Sequence, residues 1–345
     1  MKLHCIPILS ALFTSLVCFS NPATKISDNS PSSGIVIRWN DCEQTIDGFG
    51  IAQAGWAKEL FAFKNRKQVM DKMFGNDGLR LNILRGEIFP HYWENKEDKD
   101  FNLNDDINIE LCDSDFNNKS DDLLRRGQLW LTLEAKNKYH INKLVFSTWS
   151  APAWMKSNGK VSNGKLKPEC YQDFANYLAA FYKAYKSKGI TPYAISPSNE
   201  PGYAAPWNSS LWTADEMGKF ITSNLGPTFQ KENIPAKIIF GENPLWSVVM
   251  PQLKMVSSKD FTDTILQDYP EIKKFNLIAA GHGYSLSPDI MPIKVDKEYL
   301  KTPIIPFDAA EKAHIPVWIT EISDVTPLDT SIQDGLKWAV TFHNY

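Results

Sequence analysis

Cysteine and histidine are scarce in this sequence, and they are badly placed for metal chemistry. Five cysteines and six histidines occur in 345 residues. They form no HExxH, no Cys-x-x-Cys and no close histidine pair, so the usual zinc patterns are excluded. Neither sign of charge is in excess: 37 Lys and Arg against 40 Asp and Glu give −3, too near neutrality for a nucleic-acid footprint. Phosphate-cradling glycine loops are missing too. Gly48-Phe49-Gly50 lacks the third glycine of a dinucleotide fingerprint, and no GxxxxGK[ST] occurs. Without a Gly-x-Ser-x-Gly there is no nucleophile elbow for a serine hydrolase. No apolar run reaches the roughly 20 residues of a membrane span. The expectation is a chain with no metal, no cofactor, no nucleic-acid partner and no stable membrane span, working as a monomer.

Apolar residues at 43% with 22% charged fit an ordinary folded chain rather than disorder. Aromatics are plentiful, with 11 Trp, enough to line a cleft as well as fill a core. The first twenty residues read as a signal peptide. Met1-Lys2-Leu3-His4 is a short basic start, Cys5 to Phe19 is mostly apolar, and cleavage is expected before Asn21. Lipid attachment at Cys18 is the lesser alternative, because Val17 is not the usual small residue before such a cysteine. The expected location is secreted or periplasmic. Residues 21–40 read as a flexible leader followed by one alternating strand, Gly34–Trp39. The mature chain keeps Cys42, Cys112 and Cys170, so at most one internal bridge can form, and spacing does not choose it.

From residue 41 onward strands alternate with helices. Strand candidates are Ile46–Ile51, Leu79–Leu84, Lys143–Thr148, Pro192–Ser196, Lys237–Phe240, Asn276–Ala280 and Pro316–Thr320. Helical patterns lie between them at Lys58–Phe74, Asp121–Lys138 and Pro168–Ser187, with Thr213-Ala-Asp-Glu216 as a capping box and Ser331–His343 as a final helix. Such alternation predicts a parallel sheet covered by helices. A doubly wound sheet would carry a glycine-rich nucleotide turn. A (β/α)8 barrel instead places its chemistry at the C-terminal strand ends, which is where polar residues cluster here.

Two apolar strands end in a carboxylate. One is Tyr193-Ala-Ile-Ser-Pro-Ser-Asn199-Glu200-Pro201 and the other Pro316-Val-Trp-Ile-Thr-Glu321, roughly three βα units downstream. A lone glutamate is ordinarily a salt-bridge or helix-terminus residue. Two at the mouth of one barrel fit glycoside hydrolysis, where one carboxyl holds a proton for the leaving oxygen and the other stays ionised.

These motifs, with Ser147-Thr148-Trp149-Ser150-Ala151-Pro152-Ala153-Trp154-Met155-Lys156, resemble glycoside hydrolase family 30, which includes glucosylceramidases, β-1,6-glucanases and xylanases. Asp47-Gly48-Phe49-Gly50, Asn82-Ile-Leu-Arg85 and His282-Gly-Tyr284 follow in the family's order, so the resemblance runs from about Asp47 to the last residue. It implies a (β/α)8 (TIM) barrel and a retaining mechanism with Glu200 as acid/base and Glu321 as nucleophile. It further implies Arg85 as the cation beside the nucleophile and Asn199 as donor to the substrate 2-hydroxyl. Tyr284 is then a second donor to the nucleophile, His282 a sugar contact or loop-packing residue, and Trp149 a wall of the sugar site. Trp154 is expected to be structural. The family more often carries tryptophan where Gly283 stands.

Phe89-Pro-His-Tyr-Trp93, Tyr203-Ala-Ala-Pro-Trp207 and Trp212 are candidate aromatic walls, and the acidic stretch between Glu87 and Ser120 reads as a solvated excursion. Seven βα units fill the chain, so an incomplete barrel is expected over 41–345, truncated before strand eight, with Gly34–Trp39 as one strand of a β-sandwich side domain. The expected substrate is a β-linked oligosaccharide, polysaccharide or glycolipid. The competing expectation is a truncated, catalytically silent carbohydrate-binding barrel.

Overall fold

A β-strand turns alternate side chains to opposite faces, and here the two faces bury against different partners. The computed structural model describes residues 38, 40, 41, 45–53, 56–93, 95–97, 127–247, 256–284, 304–323 and 329–344. The expected signal peptide, leader and Gly34–Trp39 strand (apart from Arg38), with Cys42, Cys112 and most of the acidic excursion, lie outside them. Asp47–Tyr345 forms one compact unit.

Seven strands alternate with helices in that unit. They are β1 (Gly50–Ala52), β2 (Ile83–Glu87), β3 (Lys143–Ser147), β4 (Ala194–Ser196), β5 (Lys237–Gly241), β6 (Leu277–His282) and β7 (Val317–Glu321). Every neighbouring pair is parallel and the spatial order equals the chain order. This is a (β/α)-type barrel sheet of seven strands, as the alternation implied. Among the described residues β1 pairs only with β2 and β7 only with β6. The helices are α1 (Ala57–Ala62), α2 (Arg66–Phe74), α3 (Gly127–Tyr139), α4 (Tyr171–Ser187), α5 (Ala214–Phe220), α6 (Gly226–Lys231), α7 (Ser258–Asp268), α8 (Asp308–Lys312) and α9 (Ile332–Asn344). No described helix is long and apolar enough to cross a membrane.

Leu84, Leu144, Phe146, Ile195, Ile238, Phe240, Leu277 and Ala279 point outward into the main core with the helices. Val145, Ala194, Ile239, Ile278, Ala280 and Trp318 form a separate cluster on the other face. That second set lines the barrel interior. At its lower end Asp47, just before β1, accepts from Trp318 Nε1 at 3.0 Å and from Lys143 Nζ at 3.0 Å. Two steps further along the same face the side chains become polar: Arg85 after Ile83, Ser147 after Val145, His282 after Ala280. The chemistry therefore stands on top of the inner apolar layer.

Three elements differ from the sequence expectation. The Lys58–Phe74 helix is two helices, because Phe63 turns to extended backbone (φ −71°, ψ 125°) between α1 and α2. The Leu79–Leu84 run is not one strand. Its first half closes back on α2, with Leu79 N donating to Lys72 O and Leu81 N to Met73 O, and Arg80 takes φ +53°. The strand begins only at Ile83, so Arg85 is its third residue rather than its end. Finally, β1 starts at Gly50 rather than Ile46.

The capping box does form. Thr213 Oγ1 accepts from Glu216 N at 3.1 Å and Glu216 Oε2 accepts from Thr213 N at 2.8 Å. Thr213→Ala removes one of these bonds and should lower unfolding free energy by about 1 kcal/mol in urea titrations of the chain.

Candidate active site

The β4 and β5 strands are followed by residues in strained backbone. Glu200 has φ +49° and Glu242 φ +44°, a left-handed conformation that side-chain-bearing residues seldom adopt and that concentrates at functional positions. Backbone hydrogen bonds hold them there. Glu200 N donates to Glu242 O at 3.0 Å, Glu242 N to Ala280 O at 2.8 Å, and Asn199 N to Thr148 O at 2.7 Å. The register between β6 and β7 shifts at Gly281/His282, which sets His282 opposite Glu321.

These constraints bring the residues singled out by sequence to one place. Arg85, 3% exposed, donates from Nη1 to Glu321 Oε2 at 2.8 Å and from Nη2 to Asn199 Oδ1 at 2.7 Å. Because the Asn199 oxygen is occupied, its Nδ2 is left as the donating end. Tyr284 Oη donates to Glu321 Oε1 at 2.5 Å, so both Glu321 oxygens are held. His282 Nδ1 lies 3.1 Å from Glu200 Oε1. One donor atom each of Glu200, His282 and Glu321 lies within 4.8 Å of the other two. A metal could draw on those three atoms, but Arg85 already supplies the positive charge at Glu321. The Arg85 guanidinium carbon sits 4.8 Å from the Trp149 ring centre, a cation–π contact that fixes the indole beside the pair.

Sequence reasoning missed Glu242. It is fully buried, 3.2 Å from Arg85 Nη2, and accepts from Ser147 Oγ at 3.1 Å. Its Oε1 is 4.0 Å from His282 Nε2. Phe240-Gly241-Glu242 is a third apolar strand ending in a glutamate, so the rule that selected Glu200 and Glu321 would have selected it as well. Two of the proposed aromatic walls are core instead. Trp212 is 5% exposed and packs on Tyr171, Phe174 and Phe220. Phe89 and Tyr92 are buried, and Trp93 stacks on Tyr177 and meets Trp154 edge-on. Trp154 is structural, as expected, with Nε1 donating to Trp93 O at 3.0 Å.

The electrostatics are asymmetric. Burial works against a charged Glu321, but His282, Arg85 and the hydrogen bonds from Tyr284 and Arg85 overcome it and bring its pKa down to about 2. Burial also opposes the Arg85 charge, and Glu242 and Glu321 more than restore it. The Tyr284 phenol is pushed up by burial and by the Glu321 charge.

A carboxyl lowered in the folded state stabilises above its ordinary value near 4.5 and loses that contribution as pH falls toward 2. The stability difference between the wild-type chain and Glu321→Gln should therefore shrink across this window in urea titrations. Glu242→Ala leaves Arg85 short of a buried partner and should cost about 3–5 kcal/mol in the same measurement at neutral pH.

Residues 46–273 match the Glycosyl hydrolase family 30 TIM-barrel domain. The chain is 30% identical over 251 residues to "Putative glucosylceramidase 3" of Caenorhabditis elegans, covering 70% of this chain and 45% of that protein. It is 28% identical over 237 residues to "Endo-1,6-beta-D-glucanase" of Neurospora crassa, covering 64% and 45%. The chain thus spans less than half the length of these relatives. The catalytic domain of GH30 xylanase C from Talaromyces cellulolyticus superposes with a TM-score of 0.63 at 23% identity, covering 87% of this chain and 64% of that one, a likeness of fold. The match over residues 46–273, well over half the chain, makes this protein a member of glycosyl hydrolase family 30.

Proposed function

We propose that this chain carries the catalytic apparatus of a retaining β-glycoside hydrolase acting on β-linked glucosides, glucans or xylans. One observation carries the reading: a Glu200 oxygen and a Glu321 oxygen lie within 4.8 Å of each other. Retaining enzymes hold their carboxyls about 5–5.5 Å apart, whereas inverting enzymes need roughly 6.5–9.5 Å to admit a water.

The roles follow from the surroundings. Glu321, kept ionised beside Arg85 and Tyr284, attacks the anomeric carbon and forms a glycosyl ester. Glu200 gives its proton to the departing oxygen, then takes one from the water that attacks the ester, so Glu321 is released and the configuration is retained. His282 orients one Glu200 oxygen. The free Nδ2 of Asn199 meets the substrate 2-hydroxyl, a contact that strengthens as the ring flattens. Trp149, held under Arg85, forms a wall for the sugar. The relatives' names span glucosylceramide, β-1,6-glucan and xylan, and the substrate class proposed here covers them. The basic-then-apolar stretch Met1–Ser20 supports export.

The test is hydrolysis of aryl β-glucoside and aryl β-xyloside by the wild-type chain, Glu200→Gln and Glu321→Gln. Loss of the acid/base should lower kcat by roughly 10²–10⁴-fold, loss of the nucleophile by at least as much, and NMR should find the β-anomer as first product. Turnover that survives both substitutions overturns the mechanism. Sugar binding with no turnover in the wild-type chain supports the silent barrel instead.

A further inference from the structure

His282 is completely buried at the barrel mouth, and its two ring nitrogens have different surroundings. Nδ1 meets Glu200 Oε1 at 3.1 Å. Nε2 has no hydrogen-bond partner among the described residues, and Glu242 Oε1 faces it at 4.0 Å. The ring therefore stands between two carboxyl groups, one at each nitrogen.

Backbone bonds fix these three residues against one another. Glu200 N donates to Glu242 O at 3.0 Å, and His282 N donates at 3.1 Å to the carbonyl of Asn243, the residue after Glu242. Asn243 Oδ1 also accepts from Gly202 N at 2.7 Å. The segment that carries Glu242 thus holds the Glu200 loop on one side and His282 on the other. The Glu242 carboxylate is held in turn by Arg85 Nη2 at 3.2 Å and Ser147 Oγ at 3.1 Å.

The charges that meet here do not balance without the ring. Arg85 is one cation for two carboxylates, Glu321 and Glu242. A buried charge without a counter-charge is costly. The titratable groups facing this cluster are Arg85 from β2, Glu200 after β4, Glu242 after β5, His282 and Tyr284 from β6 and the turn beyond it, and Glu321 from β7. Of these only His282 can supply a second cation, and the His282 charge is among the effects that keep Glu321 ionised. A neutral ring has one hydrogen for two nitrogens. With that hydrogen on Nδ1, the Nε2 lone pair would point at the Glu242 carboxylate, whereas a charged ring offers a hydrogen to each carboxyl group.

We infer that His282 is an imidazolium that positions the proton donor, with Glu242 as its counter-ion. Its Nδ1–H is donated to Glu200 Oε1, which leaves Oε2 to carry the acid proton. With Arg85 and His282 balancing Glu242 and Glu321, Glu200 is the neutral fifth group, the state a proton donor needs. As the proton passes from Oε2 to the leaving oxygen, the new carboxylate forms beside a cation already in place, and the ring keeps both hydrogens. Glu242 acts through His282. The role at Glu200 rests on the hydrolase reading above, while the charge of the ring rests on its surroundings alone.

The test reads the ring directly, by nitrogen NMR of the chain labelled in its histidine rings. Near neutral pH, the His282 signals, assigned by their loss in His282→Gln, should both have imidazolium shifts. Glu242→Gln keeps the shape that Arg85 and Ser147 bind but removes the counter-ion, and one ring nitrogen should become bare. Glu242→Asp, which keeps the charge, should keep both hydrogens. In turnover, Glu242→Gln should lower kcat/KM for a phenyl β-glucoside about tenfold more than for a dinitrophenyl β-glucoside, whose departure needs no proton. In a His282→Gln background that difference should vanish. A bare nitrogen on His282 in the wild-type chain overturns the proposal, and that spectrum decides even if Glu242→Gln fails to fold. A ring that keeps both hydrogens in Glu242→Gln, or an equal effect on the two glucosides, overturns it as well. If the wild-type ring carries both hydrogens and no glycoside is turned over, the charge assignment stands and the hydrolase reading fails.

Discussion

A single buried guanidinium organises the upper end of this barrel. Arg85 rises from β2 and meets Glu321 at the end of β7, Asn199 at the end of β4 and Glu242 after β5. A guanidinium buried to 3% exposure is costly unless its charge finds anions, and here both Nη atoms find oxygen acceptors. Those partners must come from distant parts of the chain, because the fork of an arginine cannot be satisfied from its own strand. Closing the sheet into a curved, parallel array is what brings them within reach.

Two glutamates of the same chemical type acquire different properties from this arrangement. Glu321 receives a cation and a phenol and is held at about 2. Glu200 faces His282 instead and lies across the gap from Glu321. Glu242 lies deeper, fully buried between Arg85, Ser147 and His282, where it balances charge. The division of labour in the proposed double displacement is thus a division of neighbours. The strained backbone at Glu200 and Glu242 is part of the same economy, since both positions are defined by hydrogen bonds from adjacent strands.

Much of this could be read from the sequence, for identifiable reasons. Each parallel strand is short, apolar and bounded by turn residues, so β3 and β5 appear nearly at their predicted limits. The Thr213–Glu216 box and the proline at the start of the Pro168–Ser187 helical region are local signals with local causes. Where the reading slipped, an apolar residue had more than one place to be buried. Leu81 belongs to the packing around α2 rather than to a strand. Phe89, Tyr92 and Trp212 carry the same rings as a sugar platform but bury them beneath helices.

Sequence by itself determined the alternation of strands and helices, the family, and the glutamates, arginine, asparagine and tyrosine that meet at the barrel mouth. Each is a property of a short segment: an apolar run, a cap, or a polar residue at a strand end. Tertiary structure alone decided which carboxylates share one cation, that Glu242 is the third of them, and that Trp207 stays in solvent while Trp212 does not. These are properties of juxtaposition. Arg85 and Glu321 are separated by most of the chain, and only the curvature of the sheet and the shift between β6 and β7 set the distance between them.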